Sequence, residues 1–237
     1  MKRKARTFSD LVTIYVLASL LVGAVAATEQ ARPSYPRMAP LSEYLMPNRA
    51  AEIALARSAA PAAISDGATV LVLEPHGYVT AVEGKNGFVC VVERGWMSPF
   101  DAPQFWNPKL RGPICFNPEA ARSILPMTYK RTTLVLAGQS REDIKKDIEA
   151  ALAARQLPPL EPGAMSYMMS KQGYLDDQAG HWIPHLMFYT ATQVDWGADQ
   201  AGSPVMLNPQ FRGSPEPVNV FMMPARKWSD GSDAPSM

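Results

Sequence analysis

Histidine and cysteine are scarce in this chain: of 237 residues, three are His and two are Cys. With only His76, His181 and His185 present, a histidine base has few places to come from. The stronger catalytic spacings are absent. There is no glycine-rich phosphate loop, no G-x-S-x-G elbow and no H-E-x-x-H pair. Repeats and low-complexity tracts are absent as well.

Long apolar runs are missing too. The run at residues 11–22 falls well short of the ~20 residues that span a bilayer, and no other stretch comes near that length. It follows a basic leader of Lys2, Arg3, Lys4 and Arg6 and precedes the small residues 23–27. This three-part order is the pattern of a secretory signal peptide. Ala24 with Ala26, or Val25 with Ala27, suits the peptidase, so residues 1–27 read as a cleaved leader. An uncleaved N-terminal anchor is the alternative. Cleavage leaves ~210 residues, enough for one domain with a substantial core. The expected address is exported, periplasmic or extracellular, with no transmembrane segment in the mature chain.

No block of one charge sign remains after the leader. Losing Lys2, Arg3, Lys4, Arg6 and Asp10 turns 23 basic and 22 acidic residues into 19 and 21, a net charge of about −2. Counterion release therefore offers little affinity, and nucleic acid is excluded as a partner. The cysteines, Cys90 and Cys115, are expected to pair in an oxidising compartment. The bridge closes a loop of roughly 24 residues, worth about 3–4 kcal/mol on the chain-entropy account. Once paired, neither sulfur is a nucleophile.

What is present reads as an α+β domain over residues 48–228. Residues 28–47 are proline-rich and aperiodic, a linker or surface arm, and residues 229–237 read as a flexible tail. Asn48 caps an alanine-rich helix over 49–59. Strands follow at 69–73, 78–82 and 88–93, joined by a Pro75–Gly77 turn and an Asn86-Gly87 step. They predict an antiparallel meander, and their continuous apolar runs call for cover on both faces. Asn117-Pro118-Glu119 opens a helix that should stop near Pro126. β-branched content favours a strand at 132–137. Ser140 caps a helix over 141–156 with Ile144, Ile148, Ala151 and Leu152 in one stripe. Strands at 165–170, 185–190, 205–207 and 218–223 complete a mostly antiparallel sheet: an N-terminal three-strand meander plus C-terminal strands, with two or three helices and one disulfide.

Two segments attract attention as a site. In residues 95–113, Pro99, Pro103, Pro108 and Pro113 preclude a regular helix or a central strand. Trp96, Phe100, Phe105 and Trp106 are interleaved with them, either to plug the core or to line a pocket. Residues 163–196 read as two buried strands joined by a polar connection that holds Tyr174, Asp176, Asp177, His181 and Trp182. The spacing His181-x-x-x-His185 suits a metal on a helix, or with Asp176 or Asp177 if a turn at residues 180–182 folds His181 back. Pro184 forbids that helix, and in extended chain four residues span ~13 Å. His181 then belongs to a loop and His185 to a strand start. Alternation places His185, Met187 and Tyr189 on one face of that strand.

The reading is a pocket for a small, partly apolar ligand between loop 95–113 and connection 171–184. Tyr174, Asp177, His181, Trp182, His185, Trp96, Phe105 and Trp106 are its candidate ligand-binding residues. No cofactor is expected. Enzyme chemistry would be a hydrolase or metal-dependent reaction using His181 or His185 with Asp177. Other carboxylates, Glu74, Glu93 and Asp101, lack a readable spacing. A methionine-rich copper site is disfavoured because Met165, Met168, Met169, Met187, Met206, Met222 and Met223 sit in apolar strands, where methionine serves as core filling. His76 reads as an exposed turn residue. A structural or envelope-interaction role without a pocket is the third reading.

Overall fold

Eight strands form one mixed sheet: β1 (Thr69–Glu74), β2 (Gly77–Val82), β3 (Val89–Glu93), β4 (Gly112–Phe116), β5 (Met165–Met168), β6 (His185–Thr190), β7 (Met206–Leu207) and β8 (Asn219–Pro224). This computed structural model describes residues 35–177, 179–191, 196–208, 215–216 and 218–235. The leader expected at 1–27 lies outside them, and every described residue belongs to one compact unit, Arg32–Met237. Among the described residues no helix is long and apolar enough to cross a membrane. The sheet order is β2-β1-β3-β4-β5-β6-β8-β7, and every pairing but β1–β3 is antiparallel.

That exception corrects the expected meander. β1 and β2 do form a hairpin, but β3 crosses to the far side of β1 and runs parallel to it. The Asn86-Gly87 step serves this crossing and not a hairpin. Gly84 N–H donates to Thr69 Oγ1 at 3.0 Å, Lys85 N–H to the Gly67 carbonyl at 2.7 Å, and Asn86 Nδ2 to the Ile64 carbonyl at 2.7 Å. The chain passes so close beneath β1 that a Cβ on Gly84 would lie 2.1 Å from the Thr69 amide nitrogen. The result puts the apolar β3 in the sheet interior, where both of its faces find cover.

One face is covered by α1 (Arg49–Arg57), capped by Asn48 accepting from the Ala51 amide at 2.8 Å. Ala56, Ala59 and Ala60 let the backbone approach Val70, Val92 and the Cys90–Cys115 disulfide. Those cysteines stand directly opposite each other on β3 and β4. A single turn, α2 (Ala62–Ser65), follows α1. The other face carries α3 (Pro118–Ser123), α4 (Leu125–Leu136) and α5 (Arg141–Ala153). Alternation along the strands fixes which residues look which way. Val91, Ile114, Phe116, Met187 and Tyr189 face α3 and α4, while Cys90, Val92 and Cys115 face α1.

Four further expectations change. Residues 132–137, read as strand from β-branched content, are helical as far as Leu136, because Thr132 and Val135 are buried and the Thr132 hydroxyl accepts from the Trp96 indole at 3.0 Å. The helix opened by Asn117 stops at Ser123, near Pro126 as expected, but Pro126 then opens a further helix, α4, where a missing N–H costs nothing. Pro113 sits within β4, a central strand, opposite Val92 and beyond the last rung that β4 shares with β5; there the ring displaces no bond on that side. Finally, the ends are packed. From residue 35 the expected linker or surface arm joins the fold: Tyr44 is fully buried and its hydroxyl donates to the Trp106 carbonyl at 2.8 Å. The tail folds back through 235, with Ser229 N–H donating to Met169 and Lys227 paired to Asp233.

Candidate functional site

The residues singled out from sequence fall in three places. Trp96, Phe105 and Trp106 are buried with Tyr44, Ile144 and Ile148, so loop 95–113 is a core plug. Phe105 meets Trp106 edge-on at 4.7 Å, and Tyr44 packs against Trp96 at 5.1 Å. The connection 171–184 forms a second cluster around Asp177. Its carboxylate accepts from Lys109 Nζ at 2.8 Å and from the hydroxyls of Tyr174 and Tyr35. These donors, Lys109 foremost, hold the Asp177 pKa down at about 2. Trp182 packs over Gly173, where any Cβ would collide with the indole at 2.5 Å, and its Nε1 donates to the Met168 carbonyl.

The two histidines stay separate. Residues 181–184 are non-helical, as Pro184 requires. His181 is exposed and stands edge-on to Trp228 at 5.9 Å. His185 is buried, and its Nδ1–H donates to the Ile183 carbonyl at 2.8 Å. Burial keeps its pKa below the usual value and favours the neutral ring. His181, His185 and Asp177 therefore do not form one constellation. Among the described residues no group of three His, Cys, Asp or Glu side chains could hold a metal ion. His76 is exposed at the β1–β2 turn.

A cavity of about 860 Å³ lies between the α3–α5 face of the sheet and the helices; of loop 95–113 Met97 lines it, and of connection 171–184 no residue does. None of the eight sequence-named ligand residues lines it. The strand face read from alternation does: Met187 and Tyr189 of β6 form part of its floor beside Ile114 and Phe116 of β4. Met127 and Arg131 of α4 form a wall, and Leu152 through Leu160 close over it. At that rim α5 ends in a Schellman turn: Gln156 N–H donates to the Ala151 carbonyl at 2.9 Å and Arg155 N–H to Leu152 at 3.0 Å. Arg155 takes the left-handed position, φ 54°, which glycine usually fills.

Polar groups in this apolar space are few. Arg131 is held on every side: Nε and Nη2 donate to Glu216, and Nη1 donates to the carbonyls of Trp96 and Ser98 at 3.0 and 2.9 Å. The Phe100 ring stacks on the guanidinium at 4.1 Å. Tyr189 shares a hydrogen bond of 2.8 Å with Ser166, and burial raises its pKa. Glu93, the last residue of β3, is different. It faces the cavity because it follows Val89 and Val91 on the helix-covered side. Thr128 donates to its Oε1 at 3.0 Å, and no ion pair among the described residues includes it. Burial pushes its pKa up to about 7, against the smaller opposing pulls of Thr128 and Arg131.

A carboxyl poised near neutrality in an apolar space can donate a hydrogen bond or accept one from a ligand. It has no histidine beside it in the cavity lining and no nucleophile oriented by a base. Sequence reading named Glu93 only as one carboxylate among several. The available signal was its place at the core-facing end of an otherwise apolar strand. Arg131 and Glu216, 85 residues apart, gave no local signal.

No protein-family model matches the chain, no curated protein is detectably similar to it, and no solved structure matches it.

Proposed function

We propose that this chain is an exported protein that binds a small, partly apolar ligand in the cavity between the sheet and helices α3–α5. The observation that carries the reading is a cavity of about 860 Å³, within the range of small-molecule sites, with apolar walls and a few convergent polar groups. The basic leader, the apolar run of residues 11–22 and the Cys90–Cys115 disulfide support export to a periplasmic or extracellular space. The neutral apolar fluorophore N-phenyl-1-naphthylamine tests the reading. Saturable one-to-one enhancement is expected, weakened at least about tenfold by Met127→Trp, which enlarges a lining side chain. Absence of saturation, or an unchanged affinity in the variant, overturns it.

One observation favours a second reading, acid–base catalysis in the same cavity: Glu93 has the pKa, about 7, that a general acid or base needs at neutral pH. A ligand recovered unchanged after prolonged incubation with the protein separates the binder from the catalyst. The histidine-based alternative, a hydrolase or metal-dependent enzyme using His181 or His185 with Asp177, finds no support in the separate partners of those three side chains.

A further inference from the structure

We infer that the occupant of the cavity is an amphiphilic amine whose protonated nitrogen pairs with Glu93 Oε2. This inference rests on the binding reading above and adds the ligand's chemical class.

Among the described residues four charged side chains line the space: Glu93, Arg131, Arg155 and Glu216. Arg131 and Glu216 neutralise each other, and the remaining Arg131 donors are directed at the carbonyls of Trp96 and Ser98. A ligand carboxylate or phosphate would therefore find no free guanidinium fork inside. Arg155 is exposed at the rim, where water screens it. Among the described residues Glu93, half-buried in the cavity lining, is left as the charge with no ion pair. Thr128 donates to Oε1, and among the described residues no hydrogen bond reaches Oε2.

An unpaired carboxylate in an apolar space is costly, and the protein meets that cost by favouring the protonated form. A ligand ammonium removes the cost directly. It supplies a charge-assisted hydrogen bond to Oε2 and the missing positive charge, while its apolar body contacts Met97, Ile124, Met127 and Leu160. A neutral ligand leaves the oxygen weakly satisfied, and an anion meets repulsion from it. The order of preference is therefore amine, then alcohol, then carboxylate, at equal chain length.

The test is displacement of bound N-phenyl-1-naphthylamine from the full, disulfide-intact chain at pH 8 by decylamine, decanol and decanoate, each below its micelle concentration. Decylamine should displace about tenfold more tightly than decanol, the usual margin between a charged and a neutral hydrogen bond, with decanoate weakest. Glu93→Gln should bring decylamine to within about threefold of decanol. If the fluorophore binds but the three compounds compete equally, or decanoate competes best, the amine assignment is wrong and the binding reading stands. If Glu93→Gln keeps the amine preference, the pairing with Glu93 is wrong. If the fluorophore never saturates, the binding reading fails and this inference goes with it. If the variant folds poorly, the wild-type series still decides the amine preference, and a decylamine preference over decanol that does not strengthen between pH 6 and pH 8 overturns the pairing with Glu93.

Discussion

Glu93→Gln should make the protein more stable above neutral pH, although it removes a charged group from beside Thr128. In the folded chain the Glu93 carboxyl titrates at about 7, against 4.5 for an unperturbed glutamate. The folded state therefore holds a proton that the unfolded state has already released. Stability from this group is complete below pH 4.5 and is lost as the pH rises through about 7. A displacement of that size corresponds to roughly 3 kcal/mol. Glutamine keeps a carbonyl oxygen for the Thr128 hydroxyl and has no charge to desolvate. Urea unfolding followed by tryptophan fluorescence, with the disulfide intact, measures the difference at pH 5 and pH 8.5. The variant should lead by under ~1 kcal/mol at pH 5 and by roughly 3 kcal/mol at pH 8.5. His185 contributes a slope of the opposite sign, because burial lowers its pKa and stability then rises with pH up to its unfolded value of 6.5. That slope is common to both proteins and cancels in the difference. A gap that stays constant with pH, or a variant less stable than wild type at pH 8.5, would mean that Glu93 has a counterion or ready hydration, and the cavity's electrostatic description would be wrong.

Other substitutions test the frame that holds the cavity. Gly84→Ala places a methyl group 2.1 Å from the Thr69 amide nitrogen and should cost on the order of 3 kcal/mol or more; an unchanged Tm contradicts the crossing under β1. Arg155→Gly relieves the left-handed backbone at the end of α5 and should raise stability by about 0.5–1 kcal/mol in urea unfolding, whereas a loss would show that the side chain makes a stabilising contact. Replacing both Cys90 and Cys115 by alanine should cost about 3 kcal/mol, and titration of the unreduced, denatured wild type should find no free thiol.

Local signals were legible in the sequence, and long-range ones were not. Asn48, Asn117 and Ser140 each cap a helix with the side-chain bond that their type predicts. The strand over 185–190 and its inward face of His185, Met187 and Tyr189 follow from alternation alone. The side of β1 on which β3 lands does not, because a two-strand-wide crossing and a hairpin use the same turn residues. Thr132 misled because β-branched residues sit well in a helix once Trp96 and the sheet bury them. Pro113 misled because a central strand can be unpaired on one side over part of its length. The candidate site was half visible. Its floor on β6 was read correctly as a face. Its proposed rim, Tyr174, Asp177 and Trp182, turned out to be tied to Tyr35, Lys109, Gly173 and Met168. Aromatic density in loop 95–113 marks a core as readily as a pocket, since both require large apolar surfaces.

Three carboxylates, Glu52 buried and Glu93 and Glu216 half-buried, differ in their partners. Glu52 accepts from Arg94 at 2.8 Å and from the Leu73 amide at 3.0 Å, and Arg94 in turn donates to the Tyr44 and Val92 carbonyls. Glu216 has Arg131. Both pairs bridge segments distant in sequence, and in each the carboxylate meets a guanidinium, the pairing that a charge removed from water needs. Their roles close within the protein. Glu93 does not close in this way. A leucine there would extend the apolar floor formed by Val91, Ile114 and Phe116 without the cost that ionisation imposes above pH 7. Packing alone therefore gives no reason for the carboxylate, and the volume in front of it gives a chemical one. On the binding proposal, a carboxylate that accepts from Thr128 at 3.0 Å and lines a space of about 860 Å³ has a partner to meet from outside the chain.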